Sequence, residues 1–147
     1  MPQLIASIPY RYNADQGVDE AAFRFIMEFP GTGPRNAIPF CYEGALDTGF
    51  SGGISGNLRM KAALEAIGLE AIDTRVKIAD QKTHQAWLFE VTIMAVSTPQ
   101  GPVQLRNPVH TFLMCAFEES DPLVGFGAIA LWQVELDSPD GELRVLE

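Results

Sequence analysis

Nowhere in the sequence do apolar residues run on for the roughly 18 positions that a membrane-spanning helix needs. The longest such stretch lies near Val124 to Trp132, so no membrane partner is expected. Positive charge is scarce: 10 Lys and Arg stand against 19 Asp and Glu, a net charge of -9. Sequence-independent nucleic-acid binding depends on clustered Lys and Arg that displace counterions, and that class is set aside. Cysteine is almost absent. Cys41 and Cys115 lie far apart, match no metal or redox spacing and sit in apolar runs, which implies buried free thiols in a reducing, cytoplasmic setting. With two histidines and no cysteine pair, no metal site and no cofactor are expected. The opening MPQLIASIPYRYNADQG has no basic stretch followed by an apolar core, so no signal peptide is expected. Repeats, low-complexity segments and βαβ alternation are missing too.

What remains is a chain of 147 residues with a hydrophobic fraction of 47%, enough for one ordinary globular core. Residues 1–20 lack periodicity and read as an N-terminal arm before a domain spanning 21–147. Phe23 to Phe29 alternates aromatic and other residues and predicts a strand. Turn chemistry follows at 30–34, then a second strand from Ala37 to Leu46. Leu58 to Ile67 predicts one helix, with Asn57 as its cap, Gly68 as its stop and Met60, Ala63, Leu64 and Ile67 as its apolar stripe. Further strands are expected at 74–79, 87–96, 109–117, 132–136 and 142–146, with hairpin turns at 80–84 and 138–141. The class is mainly β with one or two short helices.

The segment Ala45-Leu46-Asp47-Thr48-Gly49-Phe50-Ser51-Gly52-Gly53 carries two chemistries. From Gly49 it matches G-x-S-x-G, the nucleophile elbow of serine hydrolases, and Asp73 or Asp80 with His84 or His110 formally completes a triad. That elbow belongs on a doubly wound parallel sheet, which the β-hairpin pattern after residue 70 does not provide. His84, in a polar hairpin, reads as solvent-exposed, and His110 as facing solvent or a partner side chain. From Asp47 the same segment places a carboxylate at the exit of an apolar strand, with Gly49 allowing a tight loop and Thr48 offering a hydroxyl. Without further context, Asp47 also fits a turn aspartate bonded to backbone amides.

The segment resembles the active-site loop of retropepsin-like aspartic proteases, the single-domain class that includes retroviral enzymes and bacterial relatives. LRMKAALEAIGL resembles the helix after that loop. VKIADQKTHQAWLFEVTI resembles the flap hairpin with its flanking strands, and DPLVGFGAIALWQVELDSPDGELRV the closing segment. The resemblance covers about residues 22 to 146. It implies an acid-protease β-barrel, catalysis by Asp47 with Thr48 and Gly49 as loop support, and a cleft covered by Ala79, Asp80, Gln81 and Trp87. Leu123-Val124-Gly125 would underpin the loop at a ψ-shaped strand crossing. Gln81 stands where the family usually has Gly, and Phe126-Gly127 replaces the more usual Met or Arg followed by Asp or Asn. Trp87 and Trp132 otherwise read as core residues, Ser51 as a loop residue bonded locally, and the glycines at 49, 52, 53 and 56 as conformational.

Peptide hydrolysis by this route needs two carboxyls sharing a proton, and two carboxylates about 3 Å apart cannot both ionise. The chain has one Asp-Thr-Gly and no second Asp-Ser/Thr-Gly, since Asp137-Ser138-Pro139 and Asp140-Gly141-Glu142 both fail the pattern. The resemblance therefore implies a C2 homodimer acting on a peptide or protein substrate. A catalytically silent dimer of the same fold, binding peptides or assembling, is the alternative.

Overall fold

The computed structural model describes residues 1–30, 38–130 and 132–147. The strands before the loop segment are β1 (Leu4–Pro9), β2 (Arg11–Asn13), β3 (Val18–Glu20), β4 (Ala22–Phe29) and β5 (Ile38–Asp47). After it come β6 (Ile54–Gly56), helix α1 (Leu58–Ala66), β7 (Ile72–Lys77), β8 (Thr83–Thr98) and β9 (Gly101–Cys115). The chain closes with β10 (Leu123–Gly125), helix α2 (Phe126–Ile129), β11 (Gln133–Asp137) and β12 (Glu142–Leu146).

Alternation drives the main sheet. Phe23, Phe25, Met27 and Phe29 on β4 all point inward and are at most 1% exposed, while the residues between them face out. Phe89, Val91, Ile93 and Ala95 do the same on β8. The strand order β4-β5-β10-β6-β9-β8 closes because β8 pairs back onto β4, which makes a six-stranded barrel with β7 added on β8. Closure removes most of the free edges that an open sheet of this length would expose. Most neighbours are antiparallel; β5 with β10 and β6 with β9 are parallel. Among the described helices none is long and apolar enough to cross a membrane.

Several expectations need correction. Residues 1–20, read as an N-terminal arm for want of periodicity, carry strands: β1 pairs with β12 in a separate sheet of order β1-β12-β11, and β2 pairs with β3. Ala6 and Ile8 of β1 are buried, but the small Ala6 and Ser7 hide the alternation from a hydrophobicity reading. α1 begins and ends as expected, with Asn57 accepting from the Met60 amide and Gly68 at φ +92 just past its end. Its apolar stripe, though, is buried only at Leu64, and Ile67 is 45% exposed. Cys115 is buried, but Cys41 is exposed on the outer face of β5. Burial pushes the Cys115 thiol up to about 11. The turn expected at 30–34 and the start of the second strand at Ala37 lie, apart from Pro30, outside the described residues.

The β2–β3 hairpin is tied to the barrel by charge. Arg11 donates to Glu20 at 2.7 Å and to Glu43 at 3.0 Å, Arg24 donates to Glu43 at 3.1 Å, and Asn13 donates to Glu20 at 3.0 Å. The bond from Asn13, together with the Arg11 charge, holds the Glu20 carboxyl below its ordinary value. Partial burial opposes ionisation of Glu43, but Arg11 and Arg24 outweigh it and keep that carboxyl low as well. A carboxyl lowered in the folded state contributes stability above its unfolded value, 4.5 here, and loses it as pH falls through the folded value. The hairpin is therefore expected to loosen below about pH 4 while the barrel stays closed. Amide exchange of residues 11–20 should accelerate between pH 6 and pH 3 relative to β8; equal protection ratios would refute this.

Candidate active site

β5 delivers Asp47 to the edge of the barrel, where its side chain is half-buried and Thr48 and Gly49 are exposed. The turn after it is closed locally. The Gly49 amide donates to Asp47 Oδ1 at 3.0 Å, and the Phe50 amide donates to the Asp47 carbonyl at 3.1 Å. β10 runs parallel beside this strand end, with Leu123 opposite Ala45, Val124 opposite Leu46 and Gly125 opposite Asp47. Its other edge meets β6, Val124 against Ile54. The loop of residues 48–53 thus leaves on one side of β10 and returns on the other. Three amides rising from β10 hold it: Gly125 donates to the Gly53 carbonyl at 2.7 Å, Phe126 to Phe50 at 2.8 Å and Gly127 to Gly52 at 3.0 Å.

Two residues that the sequence reading passed over fasten this crossing. Tyr42 is 2% exposed, and its hydroxyl lies 2.7 Å from the Ser55 carbonyl and 3.0 Å from the Leu123 carbonyl. Burial raises this phenol well above its ordinary value, so it remains a donor. The buried Ser55 hydroxyl accepts from the Leu123 amide at 3.0 Å. Buried polar groups at a strand crossing are costly unless paired, and here they are paired. Gly44 leaves room for the phenol, since a Cβ there would sit 2.6 Å from the Tyr42 hydroxyl. A tyrosine among apolar strand residues, with a glycine two positions later, was the available signal.

The glycines of the loop also act by closeness. None of Gly49, Gly52, Gly53 and Gly56 has positive φ, so the conformational role expected for them gives way to a steric one. A Cβ at Gly52 would lie 2.6 Å from the Phe50 ring, and one at Gly56 2.8 Å from Met60 Sδ.

Opposite the loop stands the β7–β8 hairpin. Between them lies a cleft of about 790 Å³, lined by Asp47, Phe50, Ser51, Ile78, Ala79 and Gln81 among others. Ala79 and Gln81 thus lie where expected. Asp80 is turned to its own hairpin: Oδ1 accepts from the Lys82 amide at 2.8 Å, and Oδ2 lies 2.8 Å from His84 Nε2. The Lys82 amide first and His84 second hold the Asp80 carboxyl below its ordinary value. His84, expected in solvent, is half-buried and stacks edge-on against Phe117 with centroids 5.0 Å apart. Trp87 is not in the cleft. It pairs with Asp73, four residue pairs back from the hairpin loop, and lines a different hollow with Lys61 Nζ 4.6 Å from its ring. Trp132 is core, packed on Phe23 and Phe25.

Gln81 adopts φ +64, a left-handed conformation that costs an L-residue roughly 1–2 kcal/mol and glycine nothing. Gln81→Gly should raise the unfolding midpoint by about 1–3 °C, the relieved strain being partly offset by a freer unfolded chain. A lower midpoint would show that the relieved strain is smaller than the unfolded-state entropy cost of glycine, about 0.4–1 kcal/mol.

The serine chemistry finds no support in this arrangement. His84 does bond Asp80 at 2.8 Å, but among the described residues no hydrogen bond joins Ser51 to either histidine, His110 bonds Thr92 at 2.8 Å, and the sheet is a barrel and not a doubly wound parallel sheet. Among the described residues no three metal-binding groups cluster.

No protein-family model and no curated protein matches the sequence. A solved structure described as a retropepsin-like aspartic protease from Rickettsia conorii shares its fold, with a TM-score of 0.50 and 12% identity over 99% of this chain and 94% of that one. At that identity the likeness concerns architecture, and the architecture of this chain is retropepsin-like.

Proposed function

We propose that the chain is an aspartic endopeptidase that works as a C2 homodimer, each copy supplying Asp47. The observation that carries the reading is the position of Asp47: a half-buried carboxylate at the end of β5, paired with Gly125 of β10 and lining a cleft of about 790 Å³. Two such carboxyls meeting on the dimer axis would share one proton. The ionised member takes a proton from the attacking water, and the protonated member donates to the scissile carbonyl oxygen. Thr48 and Gly49 would support the loop, Leu123-Val124-Gly125 would underpin it, and Ala79 and Gln81 would cover the bound backbone.

The test is cleavage of a denatured-protein substrate from pH 3 to 8, run beside a mass measurement in solution. Cleavage by a dimer supports the reading. A folded dimer that cleaves nothing across this range would favour the silent binding or assembly module, and a monomer that cleaves would remove the shared-site mechanism.

A further inference from the structure

The Asp47 cleft has a side pocket. A hollow of about 180 Å³ adjoins it, sharing Phe50, Ile78, Met114 and Leu123 with the cleft and reaching on to Ala116 and Phe117. Of its polar lining residues, Ser55 accepts from the Leu123 amide at 3.0 Å, Ser120 donates to the Ala116 carbonyl at 3.0 Å, and Asp121 is exposed. The remaining walls are apolar, and the space suits one leucine-sized side chain. Two of those walls belong to different parts of the fold. Ile78 stands on the hairpin between β7 and β8, and Phe117 on the loop after β9. They are 36% and 42% exposed, large apolar groups that an occupant of the pocket would cover.

His84 links these two walls without lining the pocket or the cleft itself. Its ring meets Phe117 edge-on with centroids 5.0 Å apart, and its Nε2 lies 2.8 Å from Asp80 Oδ2. Asp80 also accepts from the Lys82 amide at 2.8 Å, and the Gln81 amide donates to the Ile78 carbonyl at 2.9 Å. One chain of contacts thus runs from Ile78 through the turn to Phe117. At the barrel end the Phe117 carbonyl accepts from the Leu58 amide at 2.9 Å, at the start of α1. Gln81 and Phe117 are the two non-glycine residues with positive φ among the described residues, at +64 and +60. Such conformations persist where the surroundings over-determine them, and here both fall on this one chain of contacts.

We propose that His84 is a positioning residue: by tying the hairpin turn to Phe117 it fixes the width of the side pocket, and with it a preference of the cleft for a leucine-sized apolar side chain. A pocket between two walls discriminates by size only while their separation is held; a hairpin free to swing would take small and large side chains alike. The histidine acts twice, its ring filling the space beside Phe117 and its Nε2 restraining Asp80. Neither His84 nor Asp80 lines the pocket, so both act through the walls. The inference rests on the reading that the cleft holds a peptide, and does not depend on the peptide being cut.

The experiment uses the Asp47→Asn protein, so that the probes survive, and fluorescence anisotropy of two labelled peptides, Ser-Gln-Leu-Leu-Gln-Ser and Ser-Gln-Ala-Ala-Gln-Ser. The leucine peptide should bind about tenfold or more tighter than the alanine one. Adding His84→Ala, or separately Asp80→Ala, should bring that ratio to about threefold or less with circular dichroism unchanged. A merely structural role would weaken both peptides alike and leave the ratio standing. His110→Ala is the control, because its ring bonds Thr92 and lines neither hollow; its loss should leave the ratio within about twofold. The proposal is overturned if the folded protein does not bind the leucine peptide, if the two peptides bind equally, if either hairpin variant keeps the parent ratio, or if His110→Ala lowers it as much. Wild type that cleaves nothing while the ratio responds as expected would remove the protease and keep this inference. Wild type that cleaves while the ratio fails to respond would do the reverse.

Discussion

Asp47→Asn should fold and assemble like the wild type while losing at least about 10³-fold in cleavage rate, the scale set by removing a positioned general base. The amide keeps the shape of the carboxylate, and its Oδ1 can still accept from the Gly49 amide, the bond that closes the turn at 3.0 Å. The loop is held in any case by the three amides from Gly125, Phe126 and Gly127. What disappears is the ability to take a proton from water. Unchanged circular dichroism and mass beside lost activity would separate chemistry from folding. Mixing sharpens the test: wild type that re-pairs at random with an equal amount of Asp47→Asn should retain about half its activity, because half its chains acquire a dead partner. Activity unaffected by mixing would mean that each chain works alone. An Asp47→Asn protein as active as wild type, labelled at Ser51 by a fluorophosphonate probe, would return the chemistry to the serine.

Much of this architecture is legible in the sequence, and the parts that are not have physical reasons. β4 and β12 read correctly because their inward positions are large and alternate strictly. α1 reads correctly because Asn57 and Gly68 punctuate it. The first half of β9 is illegible because Pro102 and Pro108 argue against a strand. Pro108 lies in an irregular stretch, where the register with β8 slips between Ile93 and Ala95, and prolines are tolerated at such bulges. β6 and β10 are three residues each, too short for any periodicity; only the resemblance marked Leu123-Val124-Gly125. At the candidate site the loop is legible as a motif, whereas its fastening by Tyr42 and Ser55 depends on a contact between strands far apart in sequence. Trp87 belongs to the cleft only through the resemblance, and the register of β7 on β8 sets it opposite Asp73, beside a different hollow.

Gly125→Ala should be the most damaging single-methyl change near the site, costing about 3 kcal/mol or more, at or beyond the upper end for overpacking. Gly125 has φ -94 and ψ 174, a conformation open to any residue, so backbone strain plays no part and the effect isolates crowding. A Cβ there would run into the Gly52 carbonyl oxygen and sit 2.6 Å from both the Phe50 carbonyl oxygen and the Phe50 ring. Two of these neighbours are backbone of the very loop that Gly125, Phe126 and Gly127 hold, so the loop cannot yield without losing its hydrogen bonds. Because Gly125 also pairs with Asp47, relief of the clash displaces the carboxylate. Gly49→Ala is the matched control. Its Cβ would lie 3.2 Å from Asp47 Oδ1, a contact that a small side-chain shift relieves, and its cost should stay below about 1 kcal/mol. Chemical denaturation of both variants provides the measurement, with cleavage as the second readout. If Gly125→Ala unfolds at the wild-type midpoint, β10 does not lie against the loop as the structure has it, and the bracing of Asp47 by β10 fails with it.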